Sequence, residues 1–245
     1  MELPLSSAVA AHLDVLDEAG STNAVLVERA RAGDAQEFSV VMTTSQTAGR
    51  GRLGRTWVAP PGKTIAVSVL LTPASTAGLG WLPLLAGLAM TRAVRMLVPD
   101  HEATLKWPND VQVDGLKVSG LLAELVPGSG VVIGAGLNLT MAAEELPTPV
   151  STSLTLVGAD PEGLVDRALA AYLGELRALY GAWGAGGDIR ALVAAECSTL
   201  GRSVRVELPG GDDLFGTATG LDTEGRLIVD GRPVAAGDVT HLRYQ

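Results

Sequence analysis

Hydrophobic positions along the chain fall into runs of two kinds, and their alternation predicts a mixed α/β protein. Short runs of β-branched and apolar residues with turn residues at both ends read as strands. Longer runs with a polar cap in front and glycine behind read as helices. The first helix is set by Ser21-Thr22-Asn23, an N-cap cluster ahead of residues 24–32, with Gly33 as the stop. Residues 38–43 (FSVVMT) and 63–72 (KTIAVSVLLT) are strands on either side of a polar loop, the second entered from Pro60-Pro61-Gly62. A long apolar helix is expected over 79–97, with Pro83 tolerated because it falls near the first turn.

Residues 103–107 (ATLKW) form a strand that breaks at Pro108-Asn109-Asp110, resumes as Val-Gln-Val and turns at Asp114-Gly115, a hairpin signal. The returning strand, LKVSGLLAELV, has Gly120 in its middle, which marks a bulge or a close approach to the backbone. In the very apolar strand over 130–139 (GVVIGAGLNL), Gly134 and Gly136 stand two apart and so share a face. That bare face leaves room for something flat or bulky, or serves tight strand packing. After a proline-containing loop over 140–152, helices are expected over 162–180 and 188–199, separated by Gly181, Gly184, Gly186 and Gly187. Beyond Gly201 short β runs between glycine turns predict a small barrel that needs the main domain for stability. The expected fold class is α+β: a mixed β-sheet catalytic domain packed with helices over 1–199 and a small β-barrel over 200–245.

Composition narrows the function classes. With 47% hydrophobic and 18% charged residues in 245, the chain folds rather than staying disordered. Its net charge of −9 argues against a general nucleic-acid surface, because such binding draws on many Lys and Arg side chains. A single cysteine, Cys197, excludes an internal disulfide and a multi-cysteine zinc site; it reads as a small buried hydrophobe in a reducing, cytoplasmic setting. His12, His101 and His241 are dispersed and read as surface positions, so no metal site is expected. The N-terminus lacks the positive lead of a signal peptide, and the apolar stretch over 79–98 is interrupted by Arg92 and Arg95, which suits a buried helix and no membrane span.

Against that acidic background the segment over 45–57, SQTAGRGRLGRTW, stands out, with Arg50, Arg52 and Arg55 interleaved with Gly49, Gly51 and Gly54. Glycine lets a ligand approach the main chain, successive N–H groups form a cationic concavity, and arginine adds forks matched to carboxylate and phosphate. Taken alone, such a run also fits a solvated charge run or a nucleic-acid contact. Lys106, ending a strand beside a proline break, holds a charge over a cleft or snorkels from a sheet edge.

These motifs follow one order along the chain: STN, QTAGRGRLGRTW, KWPND, KVSGLLAE and GAGLNL. In that order, over residues 21–138, they resemble the biotin protein ligases, and the β-rich tail looks like that family's SH3-like C-terminal domain. The resemblance implies a two-step reaction in which biotin and MgATP give biotinyl-5′-AMP and pyrophosphate, and a lysine of a biotin carboxyl carrier domain then takes the biotinyl group. By matching positions, it implies biotin contacts from Ser21, Thr22, Asn23, Gln46, Arg50, Gly51, Arg52 and Lys106, with Gly120, Gly134 and Gly136 walling the slot. It implies catalytic roles for Arg50, Arg52 and Lys106, and contacts to ATP from Arg52, Arg55, Trp57, Asn109, Lys117 and Asn138.

The residue types suit that chemistry, since joining a carboxylate to an α-phosphate brings like charges together and needs cations first. Some members of the family carry an N-terminal helix-turn-helix domain. Only about 20 residues precede Ser21, too few for that module, so a monofunctional ligase with no nucleic-acid or membrane partner is expected. A lipoate–protein ligase-like enzyme and a non-catalytic biotin sensor are the competing readings, and a monomer or weak homodimer is the expected state.

Overall fold

The computed structural model describes residues 1–57, 59–209 and 211–242, so the last three residues of the expected tail unit lie outside the described residues. Ahead of the first expected helix come two elements that the sequence pattern did not announce. Helix α1, Pro4–Ser7, starts on a proline, and β1, His12–Leu16, runs parallel to β2, Ser39–Thr43, at one edge of the main sheet. Neither is long or periodic enough to leave a signal. The Asp166 carboxylate holds α1 from outside, accepting from Leu5 N at 3.0 Å and Ser6 N at 2.9 Å.

Helix α2, Thr22–Ala32, begins at its N-cap Ser21 and closes on Gly33 in the left-handed region, as its flanking residues require. The arginine loop that follows β2 has structure of its own: β3, Gly49–Arg50, pairs antiparallel with β4, Thr56–Trp57, across a 3₁₀ turn at Arg52–Gly54. Next come β5, Thr64–Leu71, and α3, Trp81–Leu97. After β6, Ala103–Lys106, a cis Trp107–Pro108 peptide leads into β7, Asp110–Val113; β8, Leu116–Val126, and β9, Gly130–Asn138, complete the sheet. Its order is β1-β2-β5-β9-β8-β7-β6, antiparallel throughout except at β1-β2.

Three boundaries depart from expectation. The irregularity in β8 falls at Val118, which the pairing of Val111 with Ser119 and Gln112 with Lys117 skips, whereas Gly120 pairs regularly with Asp110 and Gly136. Helix α4, Leu164–Gly184, runs through Gly181 and Gly184 instead of stopping before them. Tyr180 and Trp183 pack on the core there with their rings 5.8 Å apart, which outweighs the roughly 1 kcal/mol cost of each helical glycine. Helix α5, Ile189–Glu196, is capped by Asp188 and ends three residues early.

The tail is an antiparallel sheet of β10, Ser203–Glu207, β11, Asp213–Leu221, β12, Leu227–Val229, β13, Arg232–Val234, and β14, Asp238–His241, in the order β13-β12-β11-β10-β14. Its apolar side chains join the core that α3 and α4 form on one face of the main sheet. Two indoles fix it in place: Trp81 Nε1 donates to Thr223 O at 2.8 Å and Trp107 Nε1 to Gly225 O at 3.1 Å. His241 is half-buried rather than on the surface, with Nε2 3.1 Å from Thr199 Oγ1, because β14 folds it against the end of β6. His101 is likewise partly covered and bonds Asp114 at 2.6 Å; His12 is exposed. On the opposite face of the main sheet α2 covers Leu70, Val126 and Val132 and leaves the neighbouring stretch of β5, β8 and β9 uncovered. Among the described residues no helix is long and apolar enough to cross a membrane.

Candidate active site

That uncovered stretch is the floor of a cavity of ≈ 390 Å³, and every site residue named from the sequence lines it. The N-terminus of α2 walls one end, the arginine loop lies over the top, and the turn after β6 meets the start of β14 at the other end. Register explains the floor: Ser68, Gly134 and Leu122 are neighbours across β5, β9 and β8, as are Ala66, Gly136 and Gly120. A Cβ at Gly134 would collide with the Asn23 amide, and one at Gly136 with the Trp57 indole. At Gly120 it would stand 3.1 Å from Lys117 Cε and 3.3 Å from Trp57 Cζ3. The bare face therefore seats the protein's own Trp57 and Asn23, where the sequence alone left open room and tight packing as alternatives.

At the α2 end a chain of polar contacts fixes the wall. Gln46 Oε1 accepts from Thr22 N at 3.0 Å and Thr22 Oγ1 at 3.3 Å, which leaves the Gln46 NH₂ group as its remaining donor. Ser68 Oγ, fully buried, lies 2.8 Å from Thr22 Oγ1 and 2.6 Å from Asn23 Oδ1. Asn23 Nδ2 donates to Glu124 Oε1 at 2.7 Å. Both ends of the Asn23 amide are thus committed to the protein, and its side chain shapes the wall. Ser21 Oγ, used as acceptor by Ala24 N at 3.4 Å, keeps its proton to donate.

Around the cavity the cations divide into two groups. Arg50 pairs with Glu124 at 2.9 Å, Lys117 with Asp110 at 2.6 Å, and Arg55 with Asp238. Lys117 Nζ also stands 5.9 Å from the centre of the Trp57 ring. Arg52 and Lys106 have no carboxylate within ion-pair distance among the described residues, and Arg52 Nε is buried without a partner. Burial lowers both cations from their ordinary pKa values, and the charges of Asp110 and Asp238 oppose the fall. Asn109 Nδ2 and Asn138 Nδ2 are anchored at 2.9 Å on Leu121 O and Thr152 O, leaving each amide oxygen free to accept. No three His, Cys, Asp or Glu side chains converge as a metal site among the described residues.

A cavity with a glycine floor, a donor-bearing end and, among the described residues, two cations without a carboxylate partner has the chemistry to suit a ligand that is neutral at one end and anionic at the other. Comparison with known proteins identifies the family. The model of the biotin/lipoate A/B protein ligase family matches residues 16–138, and that of the biotin protein ligase C-terminal domain matches residues 199–242.

The chain belongs to the biotin/lipoate A/B protein ligase family.

Within that family, the chain is 44% identical over 240 residues to the biotin–[acetyl-CoA-carboxylase] ligase of Mycobacterium tuberculosis, covering 94% of this chain and 89% of that protein. It is 31% identical over 224 residues to the bifunctional ligase/repressor BirA of Escherichia coli, covering 88% of this chain and 68% of that protein. Among solved structures, the biotin protein ligase from Aquifex aeolicus in complex with biotin and ATP superposes with a TM-score of 0.78 at 26% identity, over 96% of this chain and all of that one. Sequence reasoning about this ligase-family chain missed Ser68, Glu124 and Asp238. Ser68 is a hydroxyl inside the buried run TIAVSVLL, and Glu124 lies two residues beyond Leu122 on the floor face of β8; both were visible as polar breaks in apolar strands. Nothing local marks Asp238.

Proposed function

We propose that the protein is an ATP-dependent biotin–[acetyl-CoA-carboxylase] ligase. A biotin carboxylate oxygen attacks the α-phosphorus of ATP, the bond to the β-phosphate oxygen breaks, and pyrophosphate leaves with biotinyl-5′-AMP formed. The neutral amine of a carrier-domain lysine then attacks the acyl carbon, AMP departs with the bonding electron pair, and the amine proton goes to solvent. The observation that carries this reading is the pair of unmatched cations, Arg52 and Lys106, facing one cavity beside a wall of neutral donors. Two anions brought together there gain charge-assisted hydrogen bonds that neither cation has without them.

In this reading Ser21 and Gln46 donate to the ureido oxygen of biotin, the wall of Thr22 and Asn23 sets their positions, and the backbone at Gly51 closes over the ring. Gly120, Gly134 and Gly136 line the slot. Arg52 and Lys106 stand at the carboxylate and α-phosphate, and Arg50 completes the loop end of the slot. Trp57, Lys117, Asn109 and Asn138 receive the nucleotide, while Arg55 is already engaged by Asp238. Mg²⁺ comes with the triphosphate and supplies partial neutralisation of its charge. Asp110 and Asp238, each already paired with a cation, suit the one or two carboxylates that Mg²⁺ takes from protein and offer no cage for a resident ion.

Residues 1–199 act as the catalytic domain and 200–245 as the SH3-like tail, with a biotin carboxyl carrier domain of a biotin-dependent carboxylase as acceptor. An ATP consumer works where ATP is plentiful, which supports a cytoplasmic location. Pyrophosphate release is the test: turnover is expected with biotin and MgATP and not with lipoate. Turnover with lipoate alone would make the chain a lipoate ligase, and turnover with neither would leave a non-catalytic binder.

A further inference from the structure

Each end of the arginine loop is held by a carboxylate. Glu124, on β8, accepts from Arg50 Nη2 at 2.9 Å and from Asn23 Nδ2 at 2.7 Å, so a single oxygen ties the loop's first arginine to the wall built by α2. Asp238, at the start of β14, pairs with Arg55 at the far end of the loop. Between them the backbone folds on itself. Gly51 N donates to Arg55 O at 2.7 Å and Arg55 N to Arg52 O at 3.1 Å, so fixing Arg50 and Arg55 fixes the backbone that carries Arg52. The carboxylates are the fixed posts: their side chains are 27% and 21% exposed, against 49% and 64% for Arg50 and Arg55.

We propose that Glu124 and Asp238 are positioning residues that strap the arginine loop across the cavity, using Arg50 and Arg55 for closure so that Arg52 and Lys106 meet the reactants. The proposal deepens the ligase reading and rests on it, while giving Arg50 and Arg55 a different task from the one the resemblance implies. A bare carboxylate beside a triphosphate would repel it; Asp238 is tolerable there because Arg55 neutralises it. Asp238 also faces Arg52 and Lys106 and helps keep both charged against burial. A half-exposed ion pair shifts an equilibrium by roughly two- to fivefold, enough to decide whether a glycine-rich loop rests open or closed.

The test uses the intact chain. Isosteric Glu124→Gln and Asp238→Asn should each speed amide hydrogen exchange over 49–57 in the ligand-free protein by about two- to fivefold. Each should lower kcat/KM for biotin-dependent pyrophosphate release by a similar factor, with an unchanged unfolding midpoint. The charge-reversed pair, Arg55→Asp with Asp238→Arg, should restore exchange over 49–57 to within about twofold of wild type, while turnover stays low because an arginine at 238 faces Arg52 and Lys106. Unchanged exchange and turnover in both single variants would overturn the proposal. So would a reversed pair whose loop exchanges as fast as that of Asp238→Asn, since the Arg55–Asp238 pair would then not hold the loop. If a variant fails to fold, the wild-type chain decides: protection over 49–57 should fall as KCl rises from about 0.05 to about 0.5 M, and a flat response refutes the strap. Exchange needs no turnover, so failure of the ligase reading shows separately as wild-type protein that releases no pyrophosphate.

Discussion

Lys106 is a buried-side cation with no carboxylate within ion-pair distance among the described residues, at the mouth of a cavity that invites an anion. Keeping a charge there unpaired costs stability, and a bound anion recovers it. Lys106→Ala should therefore slow biotinyl-5′-AMP formation by on the order of a hundredfold, while the thermal midpoint holds or rises; an equal collapse of both would make the lysine a structural prop. Its lowered pKa gives two opposite pH effects. Deprotonation in the folded protein begins below the ordinary 10.5, so kcat/KM should fall on the alkaline side before that value, and Lys106→Arg should move the limb upward. Between the lowered value and 10.5 the unfolded chain binds more protons, so folding stability should gain across the same window as pH rises. At Gly136 the prediction is steric: Gly136→Ala pushes on the Trp57 indole, costs about 1–3 kcal/mol, and should shift tryptophan emission and weaken ATP binding measured by titration.

At the scale of elements, the arginine loop combines a two-residue strand pair and a 3₁₀ turn with three glycines, and its Trp57 indole rests against Gly136 and Gly120 of the sheet. Biotin and MgATP together should slow hydrogen exchange over 49–57, because Arg52 and Lys106 gain anionic partners; unchanged protection would remove the loop from the site. The caps of α2 and the strands flanking the loop were legible because capping and β-patterning are local properties. The strand pair inside the loop was not, since two residues cannot show a period. Nor was the full length of α4, where the ring packing of Tyr180 and Trp183 overrides two glycines.

At the scale of the molecule, one continuous core joins the tail to the main sheet, with the indoles of Trp81 and Trp107 gripping the turn between β11 and β12. Thermal unfolding should show a single transition. Trp107→Phe strands Gly225 O without its donor and should cost about 1–3 kcal/mol, and it should also slow adenylation, because Trp107 follows Lys106 directly. The tail brings His241 against Thr199 near Lys106 and Arg202, and burial with those two cations lowers its pKa from 6.5 to about 4. The unfolded chain takes up that proton at 6.5, so stability present above 6.5 should be lost progressively as pH falls toward 4. His241→Asn should flatten that slope in denaturant titrations across the window; an unaltered slope would assign it to other groups.

The sequence by itself determined the inventory: which segments are strands or helices, where the glycines and cations fall, and which family shares their order, because these are matters of local pattern. It could not say which cations are free. Arg50 finds Glu124 74 positions away, and Arg55 finds Asp238 on a sheet at the other end of the chain. Ion pairing depends on distance in space, which only folding sets. The tertiary structure alone therefore decided that, among the described residues, Arg50, Arg55 and Lys117 each have a carboxylate partner while Arg52 and Lys106 have none.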